Sequence, residues 1–403
     1  MSTPRAMRMP FGLTVATAAF LAVWTLVATF PLLWIVVMSS KLPIDAFSPN
    51  ALDVIGGPRT RAAGLGLSLI DIGVWLAALV ALYKVVAART AGWARALSPA
   101  GWPALGWLFA AVLVVVGSAL FLVGLVPPAL RALNGLAAQV PGLDALAAPV
   151  IGATGQHYAS VWFRHDFYRN FLNSLLVTAG VVVVSLTVGT LAGYALARTK
   201  SSLAFWLLIA ALIFRALPHS VLVTGYLPPF IASRELLTPL WETPVIGSVL
   251  QLFSAVPPTL YGQPWAVIAV LVSINQPFTI WMLRSFFQSI PAELDEAARV
   301  DGCSHAQALY RVIMPVMWPG VITTGLFSFL LAYNDYLVCA LLLDAQSQTM
   351  VPAITQYFNR ETTATDQVEA VAAAVSITAP LFLLVMVFQR QIVSGLTAGA
   401  VKG

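Results

Sequence analysis

The chain has 403 residues, of which 59% are hydrophobic and only 9% charged, with a net charge of +5 and a mean hydropathy of +0.87. A water-soluble chain of this size carries about 25% charged residues, so a soluble fold, a disordered chain and a nucleic-acid-binding basic domain are all excluded. Two cysteines, Cys303 and Cys339, exclude a disulfide scaffold. The composition is that of an all-α polytopic membrane protein.

Crossing about 30 Å of hydrocarbon takes roughly 20 apolar residues. Eight stretches meet that length: 12–38, 65–87, 103–126, 172–197, 203–231, 263–287, 319–343 and 371–389. The first follows Arg5 and Arg8 but is too long for a signal peptide and lacks its cleavage pattern, so it reads as an uncleaved span. Segments expected inside carry Arg5, Arg8, Lys84, Arg89, Arg95, Arg198, Lys200, Arg284, Arg299, Arg311, Arg390 and Lys402. Those expected outside carry fewer bases over more chain, together with most of the acids. By the positive-inside rule both termini are cytoplasmic.

The outer segment 127–171 holds Pro127, Pro128, Pro141 and Pro149 and is expected to be irregular or short-helical. The outer segment 232–262 contains an apolar stretch, Val245 to Phe253, too short to span. Within the membrane, Arg215 and Asp335 would lie in the outer halves of the fifth and seventh spans. Such charges pair, face a water-filled path or snorkel, and all three readings stand. Pro277 after Asn275 and Gln276, and Pro218 before His219, are expected to break their spans. Arg215, His219, Asn275, Gln276, Asn334 and Asp335 are therefore the candidate pathway or intramembrane polar residues. Broken helices can mark a binding site or merely a packing kink.

Between the sixth and seventh spans, 289–315 is the most charged window of the chain. Pro291 and the acids Glu293, Asp295 and Glu296 suit a helix start. Gly302 suits a sharp turn, Ser304 a second helix cap, and Pro315 is expected to stop that helix before the next span. Leu294, Ala297, Ala298 and Leu309 are available for burial. The result is a short helical hairpin on the cytoplasmic face.

Glu296-Ala297-Ala298, then three residues, then Gly302, then nine residues, then Val312-Ile313-Met314-Pro315 resembles the "EAA" loop of ABC importer permeases. Leu283-Arg284-Ser285-Phe286-Phe287 resembles the run leading into that loop. Asn334-Asp335-Tyr336 resembles an Asn-Glu-Phe run in the following span. The small-residue stretch Gly193-Tyr194-Ala195-Leu196-Ala197-Arg198 and the tail Gly395 to Gly403 resemble the maltose-type carbohydrate-uptake subfamily. The resemblance implies a type I ABC importer permease fold of six core spans, here with about two extra N-terminal spans. It implies three regions: a tail and first span over 1–38, a family-atypical insertion over 39–171, and the permease core over 172–403. It implies a bacterial inner-membrane location. Implied partners are a second homologous permease, a cytoplasmic ATPase dimer, an extracytoplasmic solute-binding protein and a carbohydrate-like solute. Glu293, Glu296, Ala297, Ala298, Asp301, Gly302 and Pro315 become candidate ATPase-coupling residues.

None of the four lysines follows a glycine, so the chain has no P-loop and ATP hydrolysis is expected on another polypeptide. Its four histidines show no metal spacing, no catalytic constellation is present, and neither cofactor nor nucleic acid is called for. A self-sufficient secondary transporter is the alternative. It would need coupling-ion sites and two related halves, and would leave the EAA-like loop unexplained.

Overall fold

The computed structural model describes residues 11–78, 80–81, 84, 126–140, 142–199, 201–244, 248, 257–359 and 363–400. The expected span 103–126, the second half of 65–87 and most of the stretch 245–253 lie outside them. Two compact units form. One gathers Met1–Val74, Leu130–His165 and Tyr357–Ser376; the other gathers Trp75–Ala129, Asp166–Gln356 and Ile377–Gly403. The sequence-drawn boundary at 171/172 thus falls at 165/166, and residues 357–376 of the expected core join the first unit.

In the first unit, helix α1 (Phe11–Ser39) is apolar on every side and none of its hydrophobic window is buried within the protein. A helix without a polar face is stable where lipid supplies the cover. Thr17 and Thr29 return their hydroxyls to the carbonyls of Leu13 and Thr25, so neither hydroxyl meets lipid unpaired. Beyond it the chain folds into short helices around Lys41, which is 2% exposed. Its ammonium donates to the carbonyls of Ile55 and Gly152. Asp45 accepts from the amide and hydroxyl of Thr60 at 2.6 and 2.7 Å. Gly57 has φ 62° and packs on Gly152, whose backbone oxygen would lie 2.7 Å from any added Cβ. Strands β1 (Leu67–Ser68) and β2 (Pro149–Ile151) pair antiparallel, a small exception to the all-helical expectation. Two residues are too few to show an alternating pattern. The apolar helix expected from 65 starts at Leu69. At its start the Ser68 amide donates to the Asp71 carboxylate and the Asp71 amide to the Ser68 hydroxyl, with Asn134 bound to both side chains.

The second unit is built on α2 (Phe167–Arg198), α3 (Ser202–Arg215), α4 (His219–Glu242) and α5 (Pro264–Gln288). Then come α6 (Glu293–Val300), α7 (Met314–Tyr333), α8 (Leu337–Leu342), α9 (Met350–Asn359), whose end belongs to the first unit, and α10 (Ala364–Ala400), whose residues up to Ser376 belong to the first unit. Four described helical stretches are long and apolar enough to cross a membrane, or five if α3 and α4 form one span. Close approach of α2 to α5 depends on small residues: a Cβ on Gly189 would lie 2.6 Å from Thr279, and one on Gly193 3.1 Å from the Arg284 amide. Val177, Val181, Val270, Leu271, Val338 and Leu342 fill one buried cluster; Leu283, Phe287, Leu309, Ile313 and Met317 fill another.

Three expected spans are corrected. The 203–231 stretch is two helices separated at Ala216–Pro218, because Pro218 disfavours helical backbone in Leu217; α4 then continues past 231 to Glu242 despite Pro228, Pro229 and Pro239. The 263–287 span is not broken: α5 carries Pro277 inside a continuous helix, as prolines are tolerated in packed membrane helices. The 319–343 span ends at Tyr333, and a short helix follows after Asn334–Tyr336. The last helix, expected at 371–389, runs over 37 residues.

Candidate functional site

The 289–315 window forms the expected hairpin. Glu293, Asp295 and Glu296 occupy the first turn of α6, and Arg299 its last, each sign at the favourable end of the helix dipole. At its other end the Gly302 amide donates to the Arg299 carbonyl and the Cys303 amide to the Ala298 carbonyl, both at 3.0 Å. That is the Schellman closure, and it needs the left-handed φ of 86° that Gly302 adopts. Ser304 and Gln307 then form a reciprocal capping box at the start of His305–Ala308.

Pro315 does not stop this helix. Helical residues run unbroken from His305 to Tyr333. Residues Leu309–Ile313 adopt a wide π turn, and Pro315 sits in the first turn of α7. A proline has no N–H to return to the carbonyl four residues back; the π turn shifts the bonding frame just where that bond is missing. Ala298, Ala308, Leu309 and Ile313 are buried, whereas Leu294 and Ala297, also available for burial by sequence, are exposed. Glu293, Glu296, Asp301 and Gly302 are exposed as well, so one face of the hairpin is held and the other presented.

What holds it was not legible beforehand. Arg198, at the end of α2, donates from Nε to Asp295 Oδ2 at 2.7 Å and from Nη1 to the carbonyls of Phe287 and Ile290 at 3.2 Å. Tyr194 donates its hydroxyl to Asp295 Oδ1, and its ring meets Phe287 edge-on with centroids 5.4 Å apart. One carboxylate on α6 is thereby bound to two side chains one helical turn apart on α2. Opposite charges in the two segments were visible in the sequence, but nothing in their spacing joined residues 97 positions apart.

The intramembrane polar residues do not converge on one point. Arg215 does not reach Asp335: its guanidinium lies 4.8 Å over the Phe278 ring, and among the described residues it has no carboxylate partner. Reciprocally, Arg284 of α5 lies 5.2 Å over Phe205 of α3, so two cation–π contacts tie these helices. Asp335 instead accepts from the Cys339 amide at 3.1 Å, and Asn334 donates to the Leu330 carbonyl. Asn275 is 1% exposed and donates to Ser328 at 2.8 Å; Gln276 donates to the Ser185 carbonyl at 3.4 Å. His219 opens α4. Among the described residues no group of three metal-ligating side chains comes together.

Residues 185–397, just over half of the chain, match the model of a family described as binding-protein-dependent transport system inner membrane component. The chain is 34% identical over 252 residues to the diacetylchitobiose uptake system permease protein DasC of Streptomyces coelicolor, covering 62% of this chain and 81% of that one. It is 31% identical to the trehalose transport system permease protein SugB of Mycobacterium tuberculosis, covering 60% and 80%. A bacterial ABC transporter that imports the acidic polysaccharide alginate has a chain 18% identical to this one, with a TM-score of 0.45, covering 72% of this chain and 96% of that one.

Proposed function

Because the chain belongs to the family of binding-protein-dependent transport system inner membrane components, we propose that it is the permease subunit of an ATP-driven importer whose solute is a carbohydrate or related polyol. The names of its relatives, uptake systems for diacetylchitobiose and trehalose, support the solute class. A self-sufficient secondary transporter has no support. On this reading the chain supplies half of the translocation pathway in the inner membrane, with both termini cytoplasmic. A second homologous permease supplies the other half, two ATPases bind below, and a solute-binding protein delivers the sugar from outside.

The observation that carries the coupling role is the construction of the hairpin. Its exposed face offers Glu293, Glu296 and Asp301 to a partner. Its held face is tied to α2 through Asp295 and is continuous with α7 through the π turn. A displacement of α6 therefore reaches α2 through the Asp295 bonds and α7 through the Gly302 turn and the helix that starts at His305. Arg215, His219, Asn275, Gln276, Asn334 and Asp335 are proposed to act within the pathway half as separate polar positions.

The test is uptake of the cognate sugar into vesicles, alongside pull-down of the ATPase. Glu296→Lys reverses a presented charge, and Gly302→Asp puts a side chain at φ 86°. Both variants should insert normally, lose ATP-driven uptake and retain less ATPase. Wild-type uptake by both would reduce the hairpin to a solvated linker and remove this reading.

A further inference from the structure

In the unit formed by Met1–Val74, Leu130–His165 and Tyr357–Ser376, an open groove of about 570 Å³ lies between segment 156–164 and the start of α10. That volume falls in the range of about 300–1,000 Å³ that small-molecule sites occupy. Glu369 and His157 are the buried members of its lining, at 7% and 5% exposure. His165 Nε2 holds the Glu369 carboxylate at 3.1 Å, and His157 donates from Nε2 to the Lys41 carbonyl at 3.0 Å. Burial keeps the His157 imidazole below its usual pKa, against the smaller opposing effects of that backbone bond and of Glu369. Gln156, Arg164 and Thr365 are exposed members of the same lining. Thr365 stands one helical turn before Glu369, on the same face of α10.

The aromatic member is unusual in its placement. Ser160–Arg164 is a π turn, a wide turn that often marks a functional segment. Val161 within it is fully buried, and Trp162 donates its indole N–H to Ser376 at 3.0 Å. Phe163, next in line, is 76% exposed. Asp166, just beyond, has φ 53°, the single left-handed non-glycine residue among the described residues. Local irregularity of this kind persists where the surroundings over-determine it, and it clusters at ligand sites.

We propose that this groove binds one ring of a neutral carbohydrate, with the ring face on Phe163 and its hydroxyls on Gln156, Arg164, Thr365 and Glu369. The inference rests on the reading of the chain as a sugar importer subunit and adds a loading subsite separate from the polar residues of the membrane helices. An aromatic face offers apolar contact to the C–H side of a sugar, while the amide, guanidinium and carboxylate supply paired donors and acceptors for vicinal hydroxyls. Arg164 and the His165-held Glu369 carry opposite signs, so the groove has no net charge with which to select an ion.

The experiment is equilibrium binding of radiolabelled trehalose, maltose and diacetylchitobiose to the full chain in lipid nanodiscs without ATP, with glucuronic acid as the charged control. At least one neutral sugar should bind saturably. Phe163→Ala and Gln156→Ala should each weaken it about tenfold or more, Phe163→Trp should retain it, and Gln139→Ala, at an exposed position outside the groove lining, should leave it unchanged. The proposal is overturned if none of the three sugars binds, if binding is indifferent to Phe163→Ala and Gln156→Ala, if Phe163→Trp loses it as fully as Phe163→Ala, if Gln139→Ala abolishes it, or if glucuronic acid binds better. ATP-driven uptake that persists alongside any of these results leaves the importer reading intact and removes only the groove. Wild-type uptake by the Glu296→Lys and Gly302→Asp variants removes the importer reading instead.

Discussion

Asp295 is the residue on which the hairpin turns. It stands among three charged neighbours in α6, yet it is the one whose carboxylate points back to α2, where Arg198 and Tyr194 take both of its oxygens. The Arg198 and Asp295 side chains keep 20% and 13% of their exposure, so solvent screens the pair only in part. A hydrogen bond to a charged group contributes about 1.5–3 kcal/mol, and the pair is further constrained by the two carbonyls that Arg198 also serves. Asp295→Asn and Arg198→Gln should each lower amide-exchange protection over 293–300 by at least tenfold. The double variant should lose less than the sum of the two losses, because each single change leaves one partner stranded. Losses that add in full would mean the two side chains act independently and the anchor is elsewhere.

At the scale of elements, what was legible in the sequence was what is local. Gly302 and Ser304 announce a turn and a cap within five residues of chain, and both are found as expected. Pro315 misled because the same rule that ends a helix at proline is satisfied another way, by the π turn at Leu309–Ile313. Pro277 misled because a proline inside a membrane helix is tolerated where neighbouring helices pack around it, and α5 stays continuous through it. The pairing of α2 with α5 was hidden for a different cause. Its determinants are absences of side chain, at Gly180, Gly189 and Gly193, and an absent side chain has no hydrophobic period. At Gly189 the added Cβ would press on the Thr279 methyl at 2.6 Å and Leu283 at 3.2 Å, so Gly189→Leu should force the helices apart. Overpacking of this kind costs about 1–3 kcal/mol or more. The folded, monodisperse yield in detergent should fall several-fold for Gly189→Leu and less for Gly189→Ala. Equal, wild-type yields would show that the contact is loose.

At the scale of the whole molecule the open quantity is orientation, and the two native cysteines can report it without engineering. Cys303 lies just after the hairpin turn and is partly exposed, whereas Cys339 is buried in the bundle. An even number of inserted spans between α1 and α2 leaves everything downstream in the orientation that the core requires. On the proposed topology, which the excess of arginine and lysine in the segments expected inside supports, the hairpin lies in the cytoplasm. If both statements hold, a membrane-impermeant maleimide applied to intact cells lacking the cognate ATPase should leave the wild-type chain unlabelled. After permeabilisation it should label at Cys303, and Cys303→Ser should abolish that signal. A thiol introduced at the exposed Gln139, by Gln139→Cys in the Cys303→Ser background, should label in intact cells, since the proposed topology puts Val126–Ala137 and the turn after it outside. Labelling of wild-type Cys303 in intact cells would place the hairpin outside, where no ATPase could reach it. Failure of Gln139→Cys to label, with Cys303 still protected, would mean that the insertion crosses the membrane an odd number of times before residue 139 and once more before α2.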